Sequence, residues 1–245
     1  MLKEASIFKQ LDYSARFEWG YEGVEELAGH SDILVIIDVL SFTTCVDIVC
    51  GRGGVVYPYR TRDETAAFFA QKQGALLAGK RGEPLSLSPS CLMTLPEGSK
   101  IVLPSPNGST CTVLAQQSGA TIIAGCLRNA GAVARFISAR QGTVSIIACG
   151  ERWPNGALRP AVEDMLAAGA ILDELTGFSL SCEAQMAVGA FRAAKQQLGA
   201  MLYDCGSGRE LAARGFTEDV TLAAQWNHSQ TVPVLRSDLA YEASR

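Results

Sequence analysis

Asp38 stands where a buried strand would hand over to a helix, and that position gives its carboxylate chemical promise. The run Ile33-Leu34-Val35-Ile36-Ile37 stops at Asp38 and turns through Val39-Leu40-Ser41-Phe42 into Thr43-Thr44. A continuous apolar run of that length reads as a strand covered on both faces. An ionised Asp at its end needs a cation, a cluster of donors or the solvent of a cleft. A plain helix cap is an equally weighted reading of Asp38 taken alone. A second loop, Pro104-Ser105-Pro106-Asn107-Gly108-Ser109-Thr110, has the chemistry of an anion cradle. Gly108 admits close backbone approach, Ser109 and Thr110 offer hydroxyls, and the free N–H groups of a first helical turn face the loop. An ordinary N-cap after a Pro-stiffened turn weighs the same here. A third loop runs from Gly150 through Glu151, Arg152 and Arg159 to Glu163-Asp164 at the head of an apolar helix. Adjacent carboxylates on a helix point different ways, so these two do not share a proton; complementing the helix dipole is their blander meaning. Carboxylates, hydroxyls and no soft ligand suit Mg²⁺. Lys80 and Arg81, in Ala78-Gly79-Lys80-Arg81-Gly82, could hold an acidic substrate, although a solvated basic turn is the commoner meaning of such a pair.

Composition limits what these residues can be part of. With 245 residues, 48% of them hydrophobic, and a net charge of −4, the chain reads as one α/β domain over residues 1–245 with room for two lobes. Lys and Arg are not clustered, so the electrostatic footprint of a nucleic-acid partner is missing. The start Met1-Leu2-Lys3-Glu4-Ala5-Ser6 leads into no apolar stretch of signal-peptide length. No segment approaches the ~20 apolar residues of a membrane span, so no membrane partner is expected and the expected compartment is the cytoplasm. Cys45, Cys50, Cys91, Cys111, Cys126, Cys149, Cys182 and Cys205 are scattered without a C-x-x-C pair and read as reduced thiols. His30 and His228 are too few for a His-based zinc site or a Ser-His-Asp triad, and His228 reads as solvated or packed. A mean hydropathy of +0.14 predicts a homodimer or higher homo-oligomer, with Met165–Leu172 or Met186–Ala194 covering another subunit.

The elements that must position the chemistry alternate between strand and helix, as in a largely parallel sheet sandwiched by helices. Beyond Ile33–Ile37, strands are expected at Val55–Tyr57, Ala75–Ala78, Lys100–Leu103, Thr121–Ala124, Val144–Ala148 and Thr231–Leu235. Thr61-Arg62-Asp63-Glu64 reads as a capping box for a helix from Thr65 to Gln73, closed by Gly74. Further helices open at Ser109 and Asn129 and close near Gly119 and Gly142, and two more cover Ala161–Leu175 and Glu183–Leu198. The longest loops, Gly79–Pro96 and Gly150–Pro160, are the ones to carry function.

Several short motifs in one order carry a resemblance. Ile36-Ile37-Asp38-Val39-Leu40 with Thr43-Thr44, Ala78-Gly79 and Arg81-Gly82, Ser88-Pro89, Asn107-Gly108-Ser109, Asn129-Ala130 and Glu163-Asp164 with Ala168-Gly169-Ala170 resemble the 2-phosphosulfolactate phosphatase (ComB-like) family. The closing stretch Gly215–Val220 followed by Val232-Pro233-Val234 is similar too, so the likeness spans most of the chain. The resemblance implies a three-layer α/β/α fold with a mostly parallel or mixed sheet. It also implies a Mg²⁺-dependent phosphomonoesterase whose partner is a small acidic phosphomonoester, removing phosphate from a sulfonated lactate on the route to coenzyme M. The chain departs from the family pattern at three places: Ser41 stands for Arg, Lys80 for Glu and Leu87 for Asn. Ser cannot imitate the bidentate clamp of Arg, though Arg152 or Arg159 could fill the same space.

On this footing Asp38 with Glu163 or Asp164 is expected to hold Mg²⁺ or activate water. Asn107, Gly108 and Ser109 are expected to cradle phosphate, with Thr43 and Thr44 beside them. Lys80, Arg81, Arg152 and Arg159 form the pool that binds the acid groups. Water attack is favoured over an aspartyl-phosphate on Asp38, because the place two residues on, where an aspartate-nucleophile phosphatase keeps its general acid, is Leu40. The alternative is a degenerate relative that binds a small anionic metabolite without hydrolysing it.

Overall fold

The computed structural model describes residues 7–244; the expectation drawn from Met1–Ser6 lies outside them. Along the chain come β1 (Ala15–Trp19), α1 (Gly20–Leu27), β2 (Ile33–Ile37), α2 (Phe42–Gly51), β3 (Val55–Tyr59), α3 (Glu64–Gln73), β4 (Leu76–Leu77) and α4 (Pro89–Leu92). Then follow β5 (Lys100–Pro104), α5 (Gly108–Ala115), β6 (Thr121–Gly125), α6 (Ala130–Arg140), β7 (Val144–Ala148) and a small hairpin of β8 (Glu151–Arg152) and β9 (Leu158–Arg159). The last part holds α7 (Val162–Asp173), α8 (Cys182–Ala194), α9 (Leu198–Asp204), α10 (Gly206–Ala213), α11 (Thr217–Ala223), β10 (Pro233–Leu235) and β11 (Tyr241–Ala243).

Nine strands form one sheet in the order β1-β7-β2-β6-β10-β11-β3-β5-β4. The block β1-β7-β2-β6 is parallel, as is β3-β5-β4. The chain's last hairpin, β10-β11, joins the two blocks through antiparallel pairs on each side, which makes the sheet mixed. The period-2 pleat divides β2 between two cores. Ile33, Val35 and Ile37 pack with α6, α7 and α8, whereas Leu34 and Ile36 pack with α1, α2 and α5. That division is why the run is apolar without a break and why the architecture is α/β/α in three layers. Helix α3 covers the outer block, where Phe69 and Ala70 meet Tyr57 and Val102.

Several expectations are corrected. The cap of α3 is Asp63, whose carboxylate accepts the Thr65 N–H at 2.9 Å, and not a Thr61–Glu64 box; a short carboxylate one position before the helix reaches the second amide directly. Gly74 does close that helix with φ 59°. The strand expected over Ala75–Ala78 is only the two-residue edge β4. Helix α5 opens at Gly108 rather than after Ser109. The segment Met165–Leu172 is consumed by the molecule's own core, against β7 and α8, and leaves no apolar face for a second subunit. Every cysteine is free, and no helix among the described residues is long and apolar enough to cross a membrane.

Candidate active site

The turn after β2 is tied around Asp38. The Thr43 hydroxyl accepts the Asp38 N–H at 3.1 Å and donates to the Asp38 carbonyl at 2.9 Å, while the Thr44 hydroxyl donates to the Val39 carbonyl at 2.8 Å. Both threonines are fully buried, so their polarity is spent on shaping the loop. The Asp38 carboxylate is fixed by three donors from two loops. Oδ1 accepts the Phe42 N–H at 3.3 Å; Oδ2 accepts the Gly108 N–H at 2.7 Å and the Ser105 hydroxyl at 3.2 Å. A Cβ on Gly108 would lie 2.3 Å from the Phe42 ring and 2.7 Å from Asp38 Oδ2, so only glycine lets the start of α5 reach the carboxylate. Burial pushes the Asp38 carboxyl above the usual range; the Gly108, Phe42 and Ser105 bonds oppose this, and the charge of Glu163 adds to it.

Asp38 opens into a cleft of about 180 Å³, whose walls include Ser41, Arg81, Asn107, Glu151 and Arg214. Glu151 accepts the Asn107 side-chain N–H at 2.9 Å. Its carboxyl is pushed up to about 7, first by burial and next by the charge of Asp38. The other polar atom of Asn107, Oδ1, is buried without a hydrogen-bond partner, and the residue is only 5% exposed. Arg81 lines the cleft as well. One end of its guanidinium donates to the Ser41 hydroxyl at 3.0 Å, and the other is paired with buried Asp219. Asp219 in turn accepts the Ser88 and Ser90 hydroxyls, each at 2.7 Å, and the Ser90 N–H at 3.0 Å. Arg214 pairs with Glu210 at 3.1 Å and is half exposed.

The structure therefore gathers Asp38, Asn107 and Arg81, with Gly108 holding Asp38, and sends other expected site residues elsewhere. Neither Glu163 nor Asp164 is part of the cleft wall. Asp164 turns both oxygens to backbone amides, accepting Val39 N–H at 2.8 Å and Gly150 N–H at 2.9 Å, and so latches the β2 and β7 exits together. Burial, then the charges of Glu163 and Asp38, raise its carboxyl well above the ordinary value. Glu163 is buried beside Cys205, whose thiol is pushed up to about 12 by its own burial and by this carboxylate. Among the described residues no group of three or more His, Cys, Asp or Glu is arranged as a metal cage, while the charge of Glu163 acts on both the Asp38 and the Asp164 carboxyls. Ser109 is fully buried and its hydroxyl donates to the Leu103 carbonyl at 2.9 Å, so its proton is spent on the backbone. Lys80 is exposed and outside the cleft wall. Arg152 stacks on the Tyr21 ring at 3.8 Å, and Arg159 donates to the Ser207 hydroxyl at 3.1 Å. The guanidinium at Ser41 thus comes from Arg81, not from either of these.

Glu151, Ser105 and Arg214 are site residues that the sequence did not single out. Glu151 was open to detection, because it follows β7 just as Asp38 follows β2; the neighbouring arginines were the louder feature of that loop. Arg214 caps the end of α10, directly before the Gly215–Val220 stretch, where only its own charge could have marked it. The family model described as 2-phosphosulpholactate phosphatase matches residues 21–238, a span that contains every residue of the cleft. A probable 2-phosphosulfolactate phosphatase of Deinococcus radiodurans is 28% identical over 222 residues, covering 84% of this chain and 88% of that protein. Its counterpart in Carboxydothermus hydrogenoformans is 30% identical over 226 residues, covering 86% and 91%. A third, from Pseudothermotoga lettingae, is 25% identical over 221 residues, covering 87% and 93%. The chain belongs to the 2-phosphosulpholactate phosphatase family, a family of phosphoric monoester hydrolases.

Proposed function

We propose that the cleft hydrolyses a small phosphomonoester bearing a second acid group, 2-phosphosulfolactate or a close analogue, to the hydroxy acid and phosphate with Mg²⁺ bound. The observation that carries this reading is the orphaned Asn107 Oδ1, buried in a cleft with Asp38 and Glu151. Neither carboxylate has an ion-pair partner among the described residues. A dianionic phosphate would meet repulsion there unless a cation came with it. The donors are hard oxygens, and Mg²⁺ is commonly held by one or two carboxylates together with substrate phosphate oxygens. Asp38 and Asn107 Oδ1 fit that role. When bound, the ion would neutralise charge on the phosphoryl oxygens.

The remaining chemistry belongs to the chain. Asp38 is kept rigid by Gly108, Phe42 and Ser105, so its oxygens do not reorganise as charge moves. Glu151 is positioned to take a proton from the attacking water. The place two residues after Asp38, where an aspartate-nucleophile phosphatase keeps its general acid, is Leu40, which favours water over Asp38 as the nucleophile. Arg81 presents its guanidinium beside Ser41 and binds the second acid group, restoring by a different loop the cation that Ser41 itself lacks.

The test is phosphate release from 2-phosphosulfolactate, phospholactate, phosphoglycerate and a neutral sugar phosphate, with Mg²⁺ and then with EDTA. Turnover of the doubly acidic esters that disappears on chelation is expected. Undiminished turnover in EDTA would overturn the metal, and tight binding of these esters without release would favour a relative that only binds.

A further inference from the structure

A second cavity, of about 520 Å³ against about 180 Å³ for the catalytic cleft, opens at the carboxyl ends of two strands in the outer parallel block. Strands β3 and β5 finish side by side, with Tyr59 paired to Pro104. The end of β3 and the loop after it bring Tyr59 and Arg60 to the cavity; the loop after β5 brings Pro106, and the first turn of α5 brings Thr110. In open α/β sheets the crevice outside the strand carboxyl ends is where ligands bind. Pro106 is the one residue shared with the cleft, so the two cavities adjoin at a single loop.

The lining defines the occupant. Tyr21, Tyr59 and Phe69 supply three aromatic rings, and the rest of the wall is mainly aliphatic. Both ring hydroxyls are already engaged: Tyr21 donates to the Pro106 carbonyl, and Tyr59 donates to the Thr65 hydroxyl at 2.9 Å. What the tyrosines leave for a ligand is ring surface. The Tyr59 and Phe69 rings lie 5.3 Å apart and tilted by 35°, within the spacing at which another flat ring joins by offset or edge contact. Arg60 is the one charged residue in the lining; it is exposed and has no ion-pair partner among the described residues. A guanidinium in a wall without acids selects a carboxylate. Thr110 is only 5% exposed, and its hydroxyl makes no hydrogen bond among the described residues, unlike that of Thr112, which donates to the Gly108 carbonyl at 2.8 Å. A hydroxyl so buried gains from a polar ligand atom. We propose that this cavity is a second ligand site, for a flat aromatic ring bearing one carboxylate, with the ring against Tyr21, Tyr59 and Phe69 and the acid group at Arg60. The assignment rests on this cavity and is independent of the reaction proposed for the cleft.

Titration calorimetry with 2-naphthoate, its uncharged amide and cyclohexanecarboxylate tests it, together with crystals soaked in 2-naphthoate that show which cavity the ligand occupies. Naphthoate is expected in this cavity, bound about tenfold or more tightly than either the amide, which lacks the charge, or the cyclohexane acid, which lacks the ring. Arg60→Gln, at an exposed position, should keep the fold and bring naphthoate to within about threefold of its amide. Phe69→Leu should bring it to within about threefold of cyclohexanecarboxylate. Arg81→Ala, which removes a cation from the cleft, should leave naphthoate affinity within about twofold. Either control compound binding as tightly as naphthoate, an affinity untouched by Arg60→Gln, or naphthoate seated in the catalytic cleft would overturn the proposal. Should Phe69→Leu fail to fold, the soaked crystal and Arg60→Gln decide it.

Discussion

Glu151 and Asp164 are both buried carboxylates near β7, and what their oxygens face separates their roles. Glu151 faces a cleft and one amide side chain; Asp164 faces two backbone N–H groups. Glu151→Gln is therefore expected to lower kcat by about 10²–10⁴-fold, the usual worth of a positioned proton acceptor, with the fold intact by circular dichroism. Asp164→Ala should behave in the opposite way. It strands two buried amides and should lower stability by about 2–6 kcal/mol, at ~1–3 kcal/mol for each unsatisfied group, as read from denaturant midpoints. Arg81→Ala should raise KM for doubly acidic esters at least tenfold and leave KM for a neutral sugar phosphate within a few fold. Equal effects on both substrate classes would remove Arg81 from the second acid group. The sequence identified Asp38, Asn107 and Arg81 because residue type and place after a strand are enough to nominate a group. It could not tell Glu151 from Asp164, because the direction of a carboxylate is set by which amides the tertiary fold brings to it.

The elements show the same division between local and long-range information. Strands β2, β5, β6 and β7 could be read from unbroken apolar runs, α6 from Asn129 and Gly142 at its ends, and α7 and α8 from their helical pattern, since these depend on neighbours within a few residues. Strand β1 escaped notice because Ala15-Arg16-Phe17-Glu18-Trp19 alternates charges with apolar residues. Arg16 is nevertheless buried, its guanidinium donating to the Tyr13 and His30 carbonyls. The placement of β10-β11 between the two parallel blocks is a contact between distant parts of the chain that no local pattern encodes. The functional element is the start of α5, which spends its first N–H on Asp38 instead of on a phosphate. Gly108→Ala should displace Asp38 and Phe42 together. Turnover is expected to fall at least a hundredfold, with a lower Tm as well, because the new methyl meets both ring and carboxylate. Normal activity in that variant would mean that the α5–Asp38 contact is not needed for the chemistry.

At the scale of the molecule, Phe68 and Met186 are each 70% exposed and Leu76 lies on the edge strand β4, and we propose that a second copy covers such apolar surface. Light scattering is expected to give about twice the 26.0 kDa chain mass, and a single-chain particle at every concentration would reject the homo-oligomer. Global stability should also respond to the acidic cleft. The Glu151 carboxyl is held at about 7 against an ordinary 4.5, and those of Asp38 and Asp164 move in the same direction. Between about 4.5 and 7 the folded chain binds protons that the unfolded chain has already released, so stability falls as pH rises through that window. At 1.36 kcal/mol per unit, Glu151 alone contributes at most about 3 kcal/mol, or several degrees of Tm in a chain of this length. The protein in EDTA should thus melt higher at pH 5.5 than at pH 8, and Glu151→Gln should flatten the difference. Mg²⁺ acts in the opposite sense, because it binds the ionised carboxylates of the folded state and competes with protons for them. Saturation at 100 times Kd would add about 2.7 kcal/mol, with the larger Tm rise at pH 8. A Tm in EDTA that climbs from pH 5.5 to pH 8, or a Mg²⁺ shift of equal size at both, would mean that these carboxylates do not share one electrostatic site.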